Sequence, residues 1–105
     1  MIFASFNPTA LNFTTENGDK AITFLYCDHL EVFGHPRFLM LNLEKSDVLI
    51  RSALGQLAPK RALVAPKISV NINRPLQGGI TDMDKRIIED IFRHAGASQV
   101  FFGNA

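Results

Sequence analysis

The segment ITDMDKRIIEDIFRHAGASQVFF, residues 80–102, constrains the fold more than any other. Thr81 and Asp84 stand three apart in the manner of a capping box, with Asp in place of the usual Glu or Gln. Met83, Ile87, Ile91 and Ala95 then recur every four residues. Ile88 and Phe92 widen that stripe, and Lys85, Arg86, Glu89, Asp90 and Arg93 take the other side, so the spacing predicts an amphipathic helix. Gly96 is a natural stop, and QVFF at 99–102 follows as a strand. A helix that feeds an apolar strand directly belongs to a crossover connection and argues for parallel pairing in a sheet.

The rest of the chain supplies partners for that sheet. Residues 2–6 are a short apolar run broken by Asn7-Pro8, and residues 11–15 alternate in strand fashion. Residues 16–20 contain Asn17-Gly18, which readily takes positive φ and turns the chain into a second hairpin arm at 21–27. Residues 28–36 read as a loop, and residues 38–43 as either a further strand or an irregular connection. Ser46 suits an N-cap and Asp47 a first turn. Val48, Ile50, Leu54 and Leu57 form a helical stripe that Pro59 ends. Residues 61–70 read as a strand that bends or stops at Pro66. The Gly/Pro-rich stretch at 73–79 is a loop.

The expected architecture is therefore α/β, one domain over residues 1–105, with a mixed five-stranded sheet in the order β-β-β-α-β-α-β. Right-handed crossovers stepping in one direction put both helices on the same face. The other face is then uncovered. Leu63 and Val64, and Phe101 and Phe102, place apolar side chains of both parities on the late strands, which calls for cover on both faces. An open apolar face of this kind is an association surface.

Charge and composition exclude several function classes. Lys plus Arg is 11 and Asp plus Glu is 10, for a formal charge of +1, so no field favours nucleic acid or an anionic membrane. The nine Phe residues come without Trp, and Phe101-Phe102 has no basic neighbour, unlike a base-stacking platform. Cys27 is the single cysteine, which excludes an internal disulfide and a cysteine-rich zinc site. Asp28, His29 and His35 near it are ligand types whose spacing fits no standard site, and the expectation is a surface loop with Cys27 in the core. His94 falls in a last helical turn, where its charge suits the dipole. Gly78-Gly79 reads as a turn rather than an anion cradle, because Asp82 and Asp84 would repel phosphate. No segment has the length of a transmembrane helix and the opening MIFASF has no leader character, so a cytoplasmic protein without membrane insertion is expected.

Thr81, Asp84, Lys85 and Arg86, then Ala95-Gly96-Ala97 and Val100-Phe101, resemble a helix–strand element of MreB, the bacterial actin-like rod-shape-determining family. PKRALVAP, residues 59–66, resembles the preceding strand of that family, LNLEKSDVLIRSAL the approach to its first helix, and FASFNPTALNF its opening strand and turn. The resemblance implies the first subdomain of the actin/ribonuclease-H-like fold. It also exposes departures. The family holds nucleotide phosphates with an Asp-x-Gly-Thr turn after the first strand. Here that stretch is Phe6-Asn7-Pro8-Thr9: Phe stands for the acid, and Pro stands for the Gly and removes a backbone donor. The opening strand has no carboxylate, against a metal-dependent nuclease of the same fold.

The expected protein is a non-catalytic structural or interaction module, a shortened relative that has lost its nucleotide site and needs no cofactor or metal. Phe3, Phe6, Val100, Phe101 and Phe102 are the candidate contact residues. A second copy is the simplest cover for the face, giving a homodimer, and an actin-like filament protein is the partner the resemblance suggests. The alternative from another class is a small nucleotide-binding or ATP-hydrolysing enzyme completed by a second chain, with Gly78-Gly79, Thr9 and Asp28 as its only assets.

Overall fold

The computed structural model describes residues 1–35, 37–58 and 65–103. Five strands form one mixed sheet: β1 (Ile2–Phe6), β2 (Ala10–Thr15), β3 (Ala21–Leu25), β4 (Lys67–Ile72) and β5 (Gln99–Phe102), in the spatial order β3-β2-β1-β4-β5. β1, β2 and β3 pair antiparallel as a meander. β4 and β5 add to it in parallel with β1. Three helices accompany the sheet: α1 (Leu30–Phe33), α2 (Leu43–Leu57) and α3 (Asp82–His94). The mixed five-stranded α/β sheet is the one expected.

Strand parity decides which side chains meet the helices. Ile2, Ala4 and Phe6 of β1, Leu11 and Phe13 of β2, and Ile68 and Val70 of β4 share one face and are buried. Phe92 of α3 contacts Phe6 and Phe13 there, with ring centroids 6.3 and 6.1 Å away. Ile50, Ala53, Leu54 and Leu57 of α2 complete the same core. α1 closes its edge, with Phe33 5.0 Å from Tyr26 between ring centroids. The helices thus lie on one face of the sheet, as the crossover argument required.

Local chemistry explains the departures from expectation. α2 starts at Leu43, and its N-cap is Asn42, not Ser46. Asn42 has φ 55°, a left-handed conformation that Asn tolerates better than most residues, and its Oδ1 accepts from Lys45 N at 3.2 Å. Ser46 is fully buried inside the helix, its hydroxyl donating to Leu41 O at 2.8 Å. Val48 faces outward, because it lies about 200° around the helix from Ile50; Ile50, Ala53, Leu54 and Leu57 are the buried stripe.

Residues 38–43 are an irregular connection up to Asn42, tied by Leu41 N to Val32 O at 2.7 Å. β3 ends at Leu25, two residues early, and runs into a 3₁₀ turn at Tyr26–Asp28. α1 occupies part of the expected loop 28–36, of which residue 36 lies outside the described residues. β4 begins at Lys67, just after Pro66. Pro59 and residues 61–64 of the strand expected over 61–70, Leu63 and Val64 among them, lie outside the described residues. The capping box of α3 forms as expected, but the buried stripe is Asp84, Ile88, Ile91, Phe92 and Ala95, while Met83 is exposed.

Candidate interaction surface

The sheet face opposite the described helices carries the alternate strand residues. Across it run Ala21, Thr14, Phe3, Ser69 and Phe101 in one row, and Thr23, Asn12, Ser5 and Asn71 in the next. Phe3 and Phe101 are exposed and flank Ser69 from either side, about 10 Å apart across two interstrand spacings. Leu25 is exposed on the same face at the outer strand. Most of the remainder is Ser, Thr and Asn. The face is therefore less apolar than expected: two Phe side chains stand over a polar sheet.

The five expected contact residues divide between the two faces. Phe3 and Phe101 are on the open one. Phe6 is fully buried under the helices. Val100 and Phe102 register with Ile68 and Val70, so they too point to the helical side and pack against the core. The two-residue period of a strand separates them from Phe101.

The β1–β2 turn spans residues 7–9. Asn7 N donates to Ala10 O at 2.8 Å, Thr9 O accepts from Tyr26 N at 3.1 Å, and Pro8 has no N–H to give. Side chains around it form a closed network at the carboxyl ends of β1 and β4, the end at which open α/β sheets commonly hold ligands. Ser5 Oγ donates to Asn7 Oδ1 at 2.9 Å, and Asn73 Nδ2 donates to Ser5 Oγ at 3.2 Å and to Asn7 Oδ1 at 3.3 Å. Tyr26 Oη donates to Asn7 O at 2.6 Å, and the Arg74 guanidinium lies 4.5 Å from the Tyr26 ring centroid. Burial pushes the Tyr26 hydroxyl up to about 12, against a smaller opposing pull from Arg74. Arg74 Nη2 donates to His35 O at 3.2 Å, while its Nη1 is buried without a hydrogen-bond partner among the described residues. These amides and hydroxyls spend their hydrogen bonds on one another and hold the turn in place.

The other motifs take structural positions. Gly78 and Gly79 have φ of 84° and 78°, and Gly79 O accepts from Arg37 Nη1 at 3.5 Å. Arg37 Nη1 also reaches Asp84 Oδ2 at 3.0 Å. Burial would raise the Asp84 carboxyl, but hydrogen bonds from Thr81 and Arg37 outweigh it and hold the group below its usual range. Cys27 is exposed rather than in the core, because β3 ends before it and the 3₁₀ turn directs it outward. Its Sγ lies 3.9 Å from Asp28 Oδ1. The His29 ring stands edge-on to Phe24, and His35 Nδ1 accepts from Arg37 N at 3.0 Å. Among the described residues no group of three or more His, Cys, Asp and Glu could hold a metal ion. Among the described residues no helix is long and apolar enough to cross a membrane.

A second apolar surface lies on the outside of the helical layer and was not expected. α2 and α3 leave a groove of about 680 Å³ between Leu43, Val48, Ile87 and Ile91, edged by Glu44, Asp47, Asp90 and His94. Asp47 Oδ1 pairs with His94 Nδ1 at 2.9 Å and with Arg51 Nη2 at 3.3 Å. The hydrogen bond with His94, then Arg51, hold the Asp47 carboxyl below its usual range. The outward position of Val48 was the available signal, had α2 been phased on Ile50 and Leu54.

Comparison with family models, with curated proteins and with solved structures finds no match for the chain.

Proposed function

We propose that this chain is a non-catalytic interaction module of the actin/ribonuclease-H-like type, and that it associates through the helix-free face of its sheet. The observation that carries the reading is the pair Phe3 and Phe101, exposed on either side of Ser69 on a face that no described helix covers. Phe3 and Phe101 are partly covered already, so burying what remains of both in two copies contributes about 2–5 kcal/mol, and the Ser, Thr and Asn rows between them must share the contact in a symmetric dimer. A second copy is the partner. The element order and the mixed sheet are those that the resemblance to MreB implies, and an association with an actin-like filament in the cytoplasm, with a part in cell shape, follows from the same resemblance.

Three features support the loss of nucleotide chemistry. Phe6, at the place of the family's acid, is buried against Phe92. Pro8 offers no donor, and the Asn7 N–H is spent on Ala10 O. Gly78-Gly79 is tied to Arg37, while Thr9 is tied to Tyr26 beside Asp28, and no described hydrogen bond or ion pair joins the two groups.

Sedimentation equilibrium over a wide concentration range tests the reading. A dimer that Phe3→Lys or Phe101→Lys returns to monomer is the expected result. A monomer at all concentrations, which also fails to capture an actin-like filament protein, overturns it. Thermal stability with and without millimolar Mg-ATP separates the enzyme alternative, because a bound ligand must stabilise the fold; the expected shift is nil.

A further inference from the structure

We infer that the α2–α3 groove is a docking site for a basic amphipathic helix of a partner protein. Two of the most exposed large apolar side chains among the described residues, Leu43 and Val48, line it. Leu43 is 64% exposed and Val48 65%, against 37% for Phe3 and 45% for Phe101 on the open sheet face. Ile87 and Ile91 continue the floor on α3.

The charges on the walls select the occupant. Glu44 stands on the α2 side and Asp90 on the α3 side. Neither has an ion pair among the described residues, whereas nearby Glu31, Asp47 and Glu89 are matched by Lys45, Arg51 with His94, and Arg93. An apolar channel with an unmatched carboxylate on each wall fits a helix whose apolar stripe is flanked on both sides by Lys or Arg. The groove does not suit a second copy of itself, since a symmetric pairing would set the acidic walls against each other. It does not suit an anionic bilayer for the same electrostatic reason.

The site is on the opposite layer from the face proposed for self-association, so the two readings fail separately. The probe is a fluorescent amphipathic peptide of Leu and Lys, about four turns or 14 residues long, with a Leu/Glu peptide of the same apolar pattern as its control. Fluorescence anisotropy at low salt should show the Lys peptide bound at least tenfold more tightly than the Glu peptide, and weakening as salt rises. The whole chain carries a formal charge of +1, so attraction of a cationic peptide must come from the local walls.

Val48→Asp, at a position exposed enough to leave the fold intact, should cut binding at least tenfold although it adds a negative charge. A Glu44→Lys, Asp90→Lys double variant should reverse the preference between the peptides. Equal binding of the two peptides, no binding of either, or Lys-peptide binding that Val48→Asp leaves unchanged would each overturn the proposal.

Discussion

The ring of Phe6 lies nearly parallel to that of Phe92, their centroids 6.3 Å apart and their planes inclined by 14°. The last residue of β1 is thereby fastened to the middle of α3's buried stripe. Phe6 is part of a packed aromatic core with Phe13 and Phe33.

Phe6→Ala should cost about 3–5 kcal/mol, the range for deleting a buried aromatic ring. Urea denaturation followed by circular dichroism would measure it. Phe6→Asp should not fold at neutral pH, since it would bury an unpaired carboxylate.

Asp84 links acid stability to the N-terminus of α3. Its carboxyl is held below the usual range in the folded chain. Its stabilisation is therefore complete above the unfolded value of about 4 and is lost as pH falls through the lowered folded value. Asp84→Asn should cost about 1–3 kcal/mol at pH 7, by weakening charged hydrogen bonds to Thr81 and Arg37. The penalty should shrink towards pH 3, and thermal melts of the two proteins between pH 3 and pH 7 would follow it.

Tyr26 is the single tyrosine, so its titration is directly visible in ultraviolet absorbance. The midpoint should lie near 12 in the folded chain. An unfolded chain loses this proton near 10, so stability should decline as pH rises between those values. Tyr26→Phe should abolish the optical titration and cost about 1 kcal/mol through the lost bond to Asn7 O.

Cys27 is exposed and is the only thiol in the chain. A disulfide reagent should label it to completion in the native protein, without denaturant. Labelling that waits for unfolding would return Cys27 to the interior.

Legibility in the sequence followed the strength of local signals. α3 and β5 were readable because capping residues, periodicity and Gly96 agree with one another. The mixed sheet followed from the order of elements. The start of α2 was not readable, because Ser46 is a better cap by type than Asn42, and only the buried bond from Ser46 to Leu41 O reverses the choice. The contact residues were half readable. Phe3 and Phe101 follow the parity of their strands, but nothing local distinguishes Phe6 and Phe102 from them. Only the register with Leu11 and Val70 puts those two beneath the helices. The groove was missed because an apolar residue in a helical stripe is taken for core, and Val48 is not.

The place of β1 in the sheet has a kinetic consequence. On one side it pairs with β2 through a short turn, and on the other Ile2 lies beside Ile68, far along the chain. The meander can assemble early from neighbours alone. The second half of the sheet closes only after a long loop has been ordered, which is the slow kind of pairing. Amide protons of β1 and β4 should then exchange with deuterium last, and those of the outer strands β3 and β5 first.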